Sequence, residues 1–528
     1  MLFTPSIAPP PNRFARTLFV TAWLFFLQTA SVFSTNWFVA TNGVDSNTGT
    51  SNSPFATITK TQAAAASGDT VYLRGGTYFL NNSNLTLTNS AWAIVNNMTK
   101  SGINYLAYPG ELPVFDFTNV QPDGWRVTAF RVTANNCVFR GFDVVGVQVT
   151  IQTNHTQSEC FRVDGGNNNR FEQLRLHDGM GNGWYLTKGA SNLVLNCDAY
   201  NNRGLDSGSI GNTDGFGCHP NSTSGGKSNV ISGCRAWFNS DDGYDCINAF
   251  AVVTFENCWS FWNGYLTNFN SSTGDGNGFK GGGYGAAGGP TPSPIPRHAI
   301  KFCLAVRNRA SGFYSNHHVG GSDWFNNTAY RNGTDYNMLS VLSDNDTDVP
   351  GYDHVMKNNL GYKGSTEVSN LDTNNSDVSF NFFTLNVTVA TNDFQSLDES
   401  LLTLPRQANG ELPYIAFAQL VGTSDLIDKG TNAGFAFYGT APDLGAFEYG
   451  LNPPPTLAMS RLGANLIFAG SGGPAGGTNY LVATTNLALP SSQWARIATN
   501  KFDLTGNYTI TNAIPAGVPQ RFYRISLP

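Results

Sequence analysis

Charged side chains are scarce. They make up 12% of the 528 residues, too few to coat long surface helices. With 57 Gly and 13% aromatics, the composition points instead to strands and tight turns. Basic residues are not in excess either. Lys and Arg number 30 against 36 Asp and Glu, a net charge of -6, which excludes a general electrostatic pull toward nucleic acid or an anionic membrane. An acidic substrate would have to be drawn in locally or through a bound cation. Long apolar runs are missing except near the N-terminus. There Arg13 and Arg16 precede an apolar run at residues 18–27, and small residues follow around 30–35. This pattern reads as a signal peptide over residues 1–34, cleaved near Ser34. An uncleaved anchor is the alternative, although the run falls short of the roughly 20 residues a span needs. A secreted chain is therefore expected, with no membrane partner after cleavage.

Amphipathic stretches of helical period are also missing from the middle of the chain. What recurs is a short strand-like segment: Asn196-Cys197-Asp198-Ala199-Tyr200-Asn201-Asn202, Gly233-Cys234-Arg235-Ala236-Trp237-Phe238-Asn239, Asn257-Cys258-Trp259-Ser260-Phe261-Trp262-Asn263 and Phe302-Cys303-Leu304-Ala305-Val306-Arg307-Asn308. A fifth, Asn326-Asn327-Thr328-Ala329-Tyr330-Arg331-Asn332, lacks the Cys. Equivalent positions step by 37, 24, 45 and 24 residues. A base step with insertions of variable length is the signature of stacked coils carrying loops on one side. Alternation within each segment favours strand over helix. The fold class expected is all-β: a parallel β-helix solenoid with a small C-terminal β-sandwich-like module.

The eight cysteines, Cys137, Cys160, Cys197, Cys218, Cys234, Cys246, Cys258 and Cys303, would suggest disulfides in an exported chain. The four in the repeat read better as an inward stack of buried thiols. The column Asn202, Asn239, Asn263, Asn308 and Asn332 reads as a turn ladder in which Asn adopts left-handed geometry. A helix near residues 60–66 is expected to cap the open end of the solenoid. The β-helix, with its N-terminal cap, is placed at 36–450, a Pro-rich linker at 451–456, and the C-terminal module at 457–528.

A second repeated element carries the chemistry. Asn182-Gly183-Trp184-Tyr185, Asp214-Gly215-Phe216-Gly217, Asp242-Gly243-Tyr244-Asp245, Asn277-Gly278-Phe279-Lys280 and Ser311-Gly312-Phe313-Tyr314 share the form x-Gly-aromatic-x. Taken as equivalent places on successive coils, with Gly making a bend and the aromatic pointing inward, they stack Asp214, Asp242 and Asn277 in one outward column. Gly217, Asp245 and Lys280 form the next, with Asp241 alongside. Four carboxylates packed together repel unless a cation joins them. An all-oxygen set suits Ca²⁺; a solvated acidic turn is the bland alternative. Lys280 would stand one coil above, among glycines that let a substrate approach, and a Lys there could serve as a base.

These blocks, Asp214-Gly215-Phe216, Asn239-Ser240-Asp241-Asp242-Gly243-Tyr244-Asp245 and Gly276-Asn277-Gly278-Phe279-Lys280, resemble in order and spacing those of the family-nine polysaccharide lyases, over roughly residues 160–340. The resemblance implies a right-handed parallel β-helix with Ca²⁺ held by Asp214, Asp241, Asp242 and Asp245, and Lys280 as Brønsted base. It implies a calcium-dependent pectate lyase that cleaves polygalacturonate by β-elimination, with Lys280 abstracting the C5 proton. His219, where some relatives carry Lys, and Gly281, where a larger apolar residue is common, depart from the pattern.

Two other readings stay open. Asn212-Thr213-Asp214-Gly215 with Asp241-Asp242 also resembles a polygalacturonase-like hydrolase, although the Gly-His-Gly and Arg-Ile-Lys blocks of those enzymes are missing. A non-catalytic glycan-binding β-helix adhesin would leave Lys280 unexplained. Arg203, His219, Lys227, His298, Arg309 and His317 are candidates for holding sugar carboxylates, with ordinary surface roles as the alternative. A monomer is expected, with an acidic polysaccharide as its partner.

Overall fold

The computed structural model describes residues 34–450 and 455–526, apart from residues 90, 152–156, 205–209, 223–227, 273, 286, 473–477, 488, 490–492, 504–506, 516 and 518–519. The expected signal peptide, except Ser34, and Lys227 lie outside the described residues, as does most of the expected linker.

The chain winds into a right-handed β-helix of three long sheets with 12, 10 and 11 strands. Nearly every pairing joins one coil to the next in parallel; Asp198–Tyr200, for example, pairs with Arg235–Trp237, which pairs with Trp259–Phe261. Strands of three or four residues suffice because each is flanked above and below and buries alternate side chains. Inside, like stacks on like. The Phe216, Tyr244, Phe279, Phe313 and Tyr336 rings form one continuous column with centroids 4.6–5.1 Å apart. The first four are aromatics of the x-Gly-aromatic-x element and do point inward, as does its Trp184; Tyr336 extends the column. The capping helix forms at Ile58–Ala64, slightly earlier than expected, with the Thr57 side chain accepting from the Lys60 N–H.

All eight cysteines are free and buried. The repeat thiols form a column that continues upward as asparagine: the Cys197 N–H reaches Cys234 Sγ at 3.3 Å, and the Cys303 N–H reaches Asn327 Oδ1 at 3.0 Å. The other asparagine column corrects the turn reading. The left-handed residues are those just before it, Asn201, Phe238, Trp262, Arg307 and Arg331. Asn202, Asn239, Asn263, Asn308 and Asn332 are themselves at most 1% exposed. Each accepts on Oδ1 from the coil below and donates through Nδ2, as Asn263 does from Asn239 (3.0 Å) and to Asn308 (3.0 Å). The ladder satisfies backbone groups that the turn removes from the sheets.

Residues 390–449 lie along the solenoid. Arg235 donates to the carbonyls of Leu402 (3.1 Å) and Leu404 (2.8 Å), and Arg406 pairs with Asp198 at 2.7 Å. Near the C-terminus, two three-stranded antiparallel sheets enclose a small core of Phe468, Leu481, Phe502, Tyr508, Ile510 and Ile525. Among the described residues no helix is long and apolar enough to cross a membrane.

Candidate active site

The x-Gly-aromatic-x elements fall on adjacent strands of the 11-stranded sheet, as the alignment required. Gly217 pairs with Asp245, Asp245 with Lys280 and Lys280 with Tyr314. The glycines are needed for close approach rather than for a bend. A Cβ on Gly243 would lie 2.1 Å from Ser260 Oγ and 2.8 Å from the Gly278 carbonyl oxygen.

The first column is buried, not exposed as the sequence suggested: Asp214 is 5% exposed and Asp242 fully buried. Its side chains bind the coil above. Asn182 Oδ1 accepts from the Asp214 N–H (2.9 Å), Asp214 Oδ1 from Asp242 (3.1 Å), Asp242 Oδ1 from Asn277 (2.6 Å) and Asn277 Oδ1 from Ser311 (3.1 Å). Of the two other acids, Asp241 also binds the coil above, while Asp245 binds its own. Asp241 Oδ1 accepts from the Asp275 N–H and Asp245 Oδ1 from the Ile247 N–H, both at 2.6 Å. Each of the four carboxylates thus has one oxygen fixed by a backbone N–H, which leaves the other for a ligand. Asp242 Oδ2 is buried and accepts no hydrogen bond.

One oxygen each from Asp214, Asp242 and Asp245 lie within 4.8 Å of one another; a second such group joins Asp241, Asp242 and Asp275. The geometry therefore brings all four expected acids together but divides them into two groups that share Asp242. Asp275 is the member the sequence reading missed, although the Gly-Asp-Gly-Asn stretch before Lys280 contains it. Burial, then repulsion from Asp245 and Asp242, pushes Asp214 well above the usual carboxylate range, and burial with repulsion from Asp242 does the same to Asp241. Asp242 rises to about 6 by burial, against the pull of Lys280. Hard, all-oxygen ligands, a buried carboxylate oxygen that accepts no hydrogen bond and more negative charge than one neighbouring ammonium offsets are what a Ca²⁺ site presents.

Lys280 closes the nest. Its Nζ lies 3.2 Å from Asp242 Oδ2, 3.4 Å from Asp245 Oδ2 and 3.9 Å from Asp275 Oδ2. Its side chain is only 11% exposed, better covered than the surrounding glycines implied. Burial works against its charge, but Asp245, Asp242, Asp241 and Asp214 outweigh it and hold the ammonium well above the ordinary lysine value. Once the carboxylates are compensated, that support is withdrawn and burial favours the neutral amine.

Of the other candidates, His219 is buried beside the site, with Nδ1 2.6 Å from the Ile247 carbonyl oxygen and its ring against Tyr185. Burial lowers its pKa. Arg309 holds the backbone next to Lys280, donating to the carbonyls of Gly274 and Asp275. His317 is exposed and pairs with Asp348. The N–H of Arg203 donates to the Gly179 carbonyl on the coil below. His298 is fully buried, where Nδ1 accepts from the Val253 N–H, and so cannot meet a sugar.

A β-helix with these side chains aligned on its outer wall defines a class of enzyme, the polysaccharide lyases. The sequence pattern described as "Pel9A-like, right handed beta helix region" matches residues 37–387, and the chain belongs to that family. It is 36% identical to the pectate lyase L of Dickeya chrysanthemi over 427 residues, covering 78% of this chain and 90% of that one. Among solved structures, a rhamnogalacturonan lyase matches with a TM-score of 0.69 and 45% identity over 73% of this chain and 96% of that one. The pectate lyase Pel9A matches at 0.63 and 30%, over 79% and 97%.

Proposed function

We propose that the protein is a secreted, calcium-dependent pectate lyase that cleaves polygalacturonate by β-elimination. The contact of Lys280 with Asp242 and Asp245 carries this reading: a single amine adjoins a nest of carboxylates in which one oxygen each from Asp214, Asp242 and Asp245 are close enough to share a cation. Asp214, Asp241, Asp242 and Asp245 would hold Ca²⁺. A bound Ca²⁺ supplies charge that pairs with the uronate C6 carboxylate and stabilises the enolate-like charge developing at C5. Lys280, neutral in the compensated site, takes the C5 proton. The electron pair forms the C4–C5 double bond as the C4–O bond breaks, and the departing oxygen takes a proton from solvent. Asn277 and the backbone N–H groups hold one oxygen of each carboxylate in place, so the acids keep their orientation while the proton moves.

The same geometry disfavours inverting hydrolysis. Inverting hydrolysis separates its two carboxyl groups by about 6.5–9.5 Å to admit a water, whereas the central acids here have oxygens within 4.8 Å of one another. The 45% identity to a rhamnogalacturonan lyase supports a second reading, in which the uronate attacked alternates with a neutral sugar. The test is elimination, followed as absorbance of the unsaturated product, on polygalacturonate and on rhamnogalacturonan backbone, with and without chelator. Product from polygalacturonate that vanishes with chelator supports the first reading. Product from rhamnogalacturonan alone replaces it with the second. Saturated products from both would defeat elimination.

A further inference from the structure

The column containing Lys280 does not end at the nest. Running down the same sheet, Lys280 pairs with Asp245, Asp245 with Gly217, Gly217 with Tyr185, Tyr185 with Arg162 and Arg162 with Arg131. Successive strands are about 4.8 Å apart, so Arg162 stands roughly 19 Å below Lys280 on the same outer face. Beyond Lys280 in the other direction the column is uncharged: Tyr314, Asn337 and Ser369.

The lower end is basic in a chain that is acidic overall. Arg131, Arg162 and Lys188 stand against two carboxylates. Arg162 pairs with Glu159 at 2.7 Å, and Asp164 takes Arg131 (2.6 Å) and Lys188 (3.7 Å). The local balance is therefore positive. Arg162 is built in rather than floppy. Its guanidinium lies 4.6 Å over the Trp92 ring and 5.4 Å over Tyr185, with Arg126 at 5.0 Å over the same Trp92. Glu159 is fully buried and also accepts from Thr128 Oγ1 at 2.7 Å. A rigid guanidinium flanked by aromatic faces is suited to a planar carboxylate on a sugar ring.

We infer that Arg162, with Tyr185, Arg131 and Trp92, forms a distal subsite for a uronate residue of the bound polymer, several sugars from the bond that breaks. This rests on the elimination reading, since it requires the polymer to lie along the column through Lys280. It also explains how an acidic protein gathers an acidic chain: the basic end attracts it, and the nest receives the residue to be cleaved.

The test measures binding of galacturonate trimers and octamers, with calcium present, to the Lys280→Ala protein, which is expected to turn oligomers over too slowly to deplete them during the measurement. The octamer is expected to bind more tightly than the trimer. Adding Arg162→Gln together with Glu159→Gln, so that no carboxylate is left buried alone, is expected to weaken octamer binding about tenfold, the worth of a charge-assisted hydrogen bond. The trimer, too short to reach, binds both proteins equally. Arg162→Lys with Glu159 intact recovers part of the octamer affinity, and raised salt narrows the gap between octamer and trimer. If the double substitution lowers the melting temperature sharply, Arg131→Gln with Asp164→Asn makes the same measurement. Equal octamer and trimer affinities, or equal losses on both, would overturn the distal subsite while leaving elimination intact. Absence of unsaturated product from the unsubstituted protein would instead strike the reading beneath it.

Discussion

Lys280 and Asp242 meet with Nζ 3.2 Å from Oδ2, while the other oxygen of Asp242 is held by the N–H of Asn277 at 2.6 Å. The backbone thus aims the acid at the amine and at whatever cation shares that space. Each prediction below follows from this arrangement or from the ladders that support it.

Replacing Lys280 by Ala or Arg is expected to lower kcat by about 10²–10⁴-fold, the usual contribution of a positioned base. Calcium binding measured by calorimetry should persist or tighten, because the substitution to Ala removes a cation from the nest. Unchanged turnover would remove Lys280 as the base.

Calcium is expected to raise the melting temperature and a chelator to lower it. A ligand at a hundred times its dissociation constant adds about 2.7 kcal/mol. Asp242→Asn should abolish most of this gain, since it removes a member common to both oxygen groups. A melting temperature indifferent to calcium in the unsubstituted protein would argue against the nest as a metal site.

Asn263→Ala should cost about 2–5 kcal/mol, read from denaturant unfolding, although the residue touches no substrate. It would strand the Asn239 N–H (3.1 Å from Oδ1) and remove the bond to the Ala236 carbonyl (3.1 Å) inside a fully buried stack. A cost below 1 kcal/mol would mean, on the usual scale of a net hydrogen bond, that the ladder is not cooperative.

Asp335 ends the asparagine ladder, accepting from Asn332 Nδ2 at 2.9 Å, and burial lifts its pKa to about 7. The folded chain then keeps a proton between about pH 4 and 7 that the unfolded chain has lost, so this group's contribution to stability falls as pH rises through that window. Asp335→Asn removes the buried charge but turns an amide toward the Gly364 N–H from which Asp335 Oδ2 accepts at 3.1 Å, so it is expected to flatten the fall in melting temperature between pH 4 and pH 8 rather than to stabilise at every pH. His318 and His354 act at the other end: burial lowers both to about 4. Stability that they contribute is present above pH 6.5 and is lost as pH falls toward 4.

The repeat was legible in the sequence because a solenoid turns sequence period into spatial neighbourhood. Residues one coil apart stack whatever the loops between them do. That is why Asp214, Asp242 and Lys280 could be aligned from glycine and aromatic positions alone, and why the cysteines read as buried thiols. Asp275 could not be read, because it reaches Lys280 from a loop that obeys no period. Nor could the role of Asn239 and Asn263, since a polar column looks the same in sequence whether it faces solvent or the core.

By itself, then, the sequence determined the coil, the inward aromatic column and which acids share a wall, because these depend only on periodic spacing and side-chain alternation. Only the tertiary structure decided that the acids are buried, with one oxygen tied down and the other left over, and that Arg162 lies in line with the amine. Those facts depend on how the loops let neighbouring coils close on one another, and the distances they set are properties of contact rather than of order along the chain.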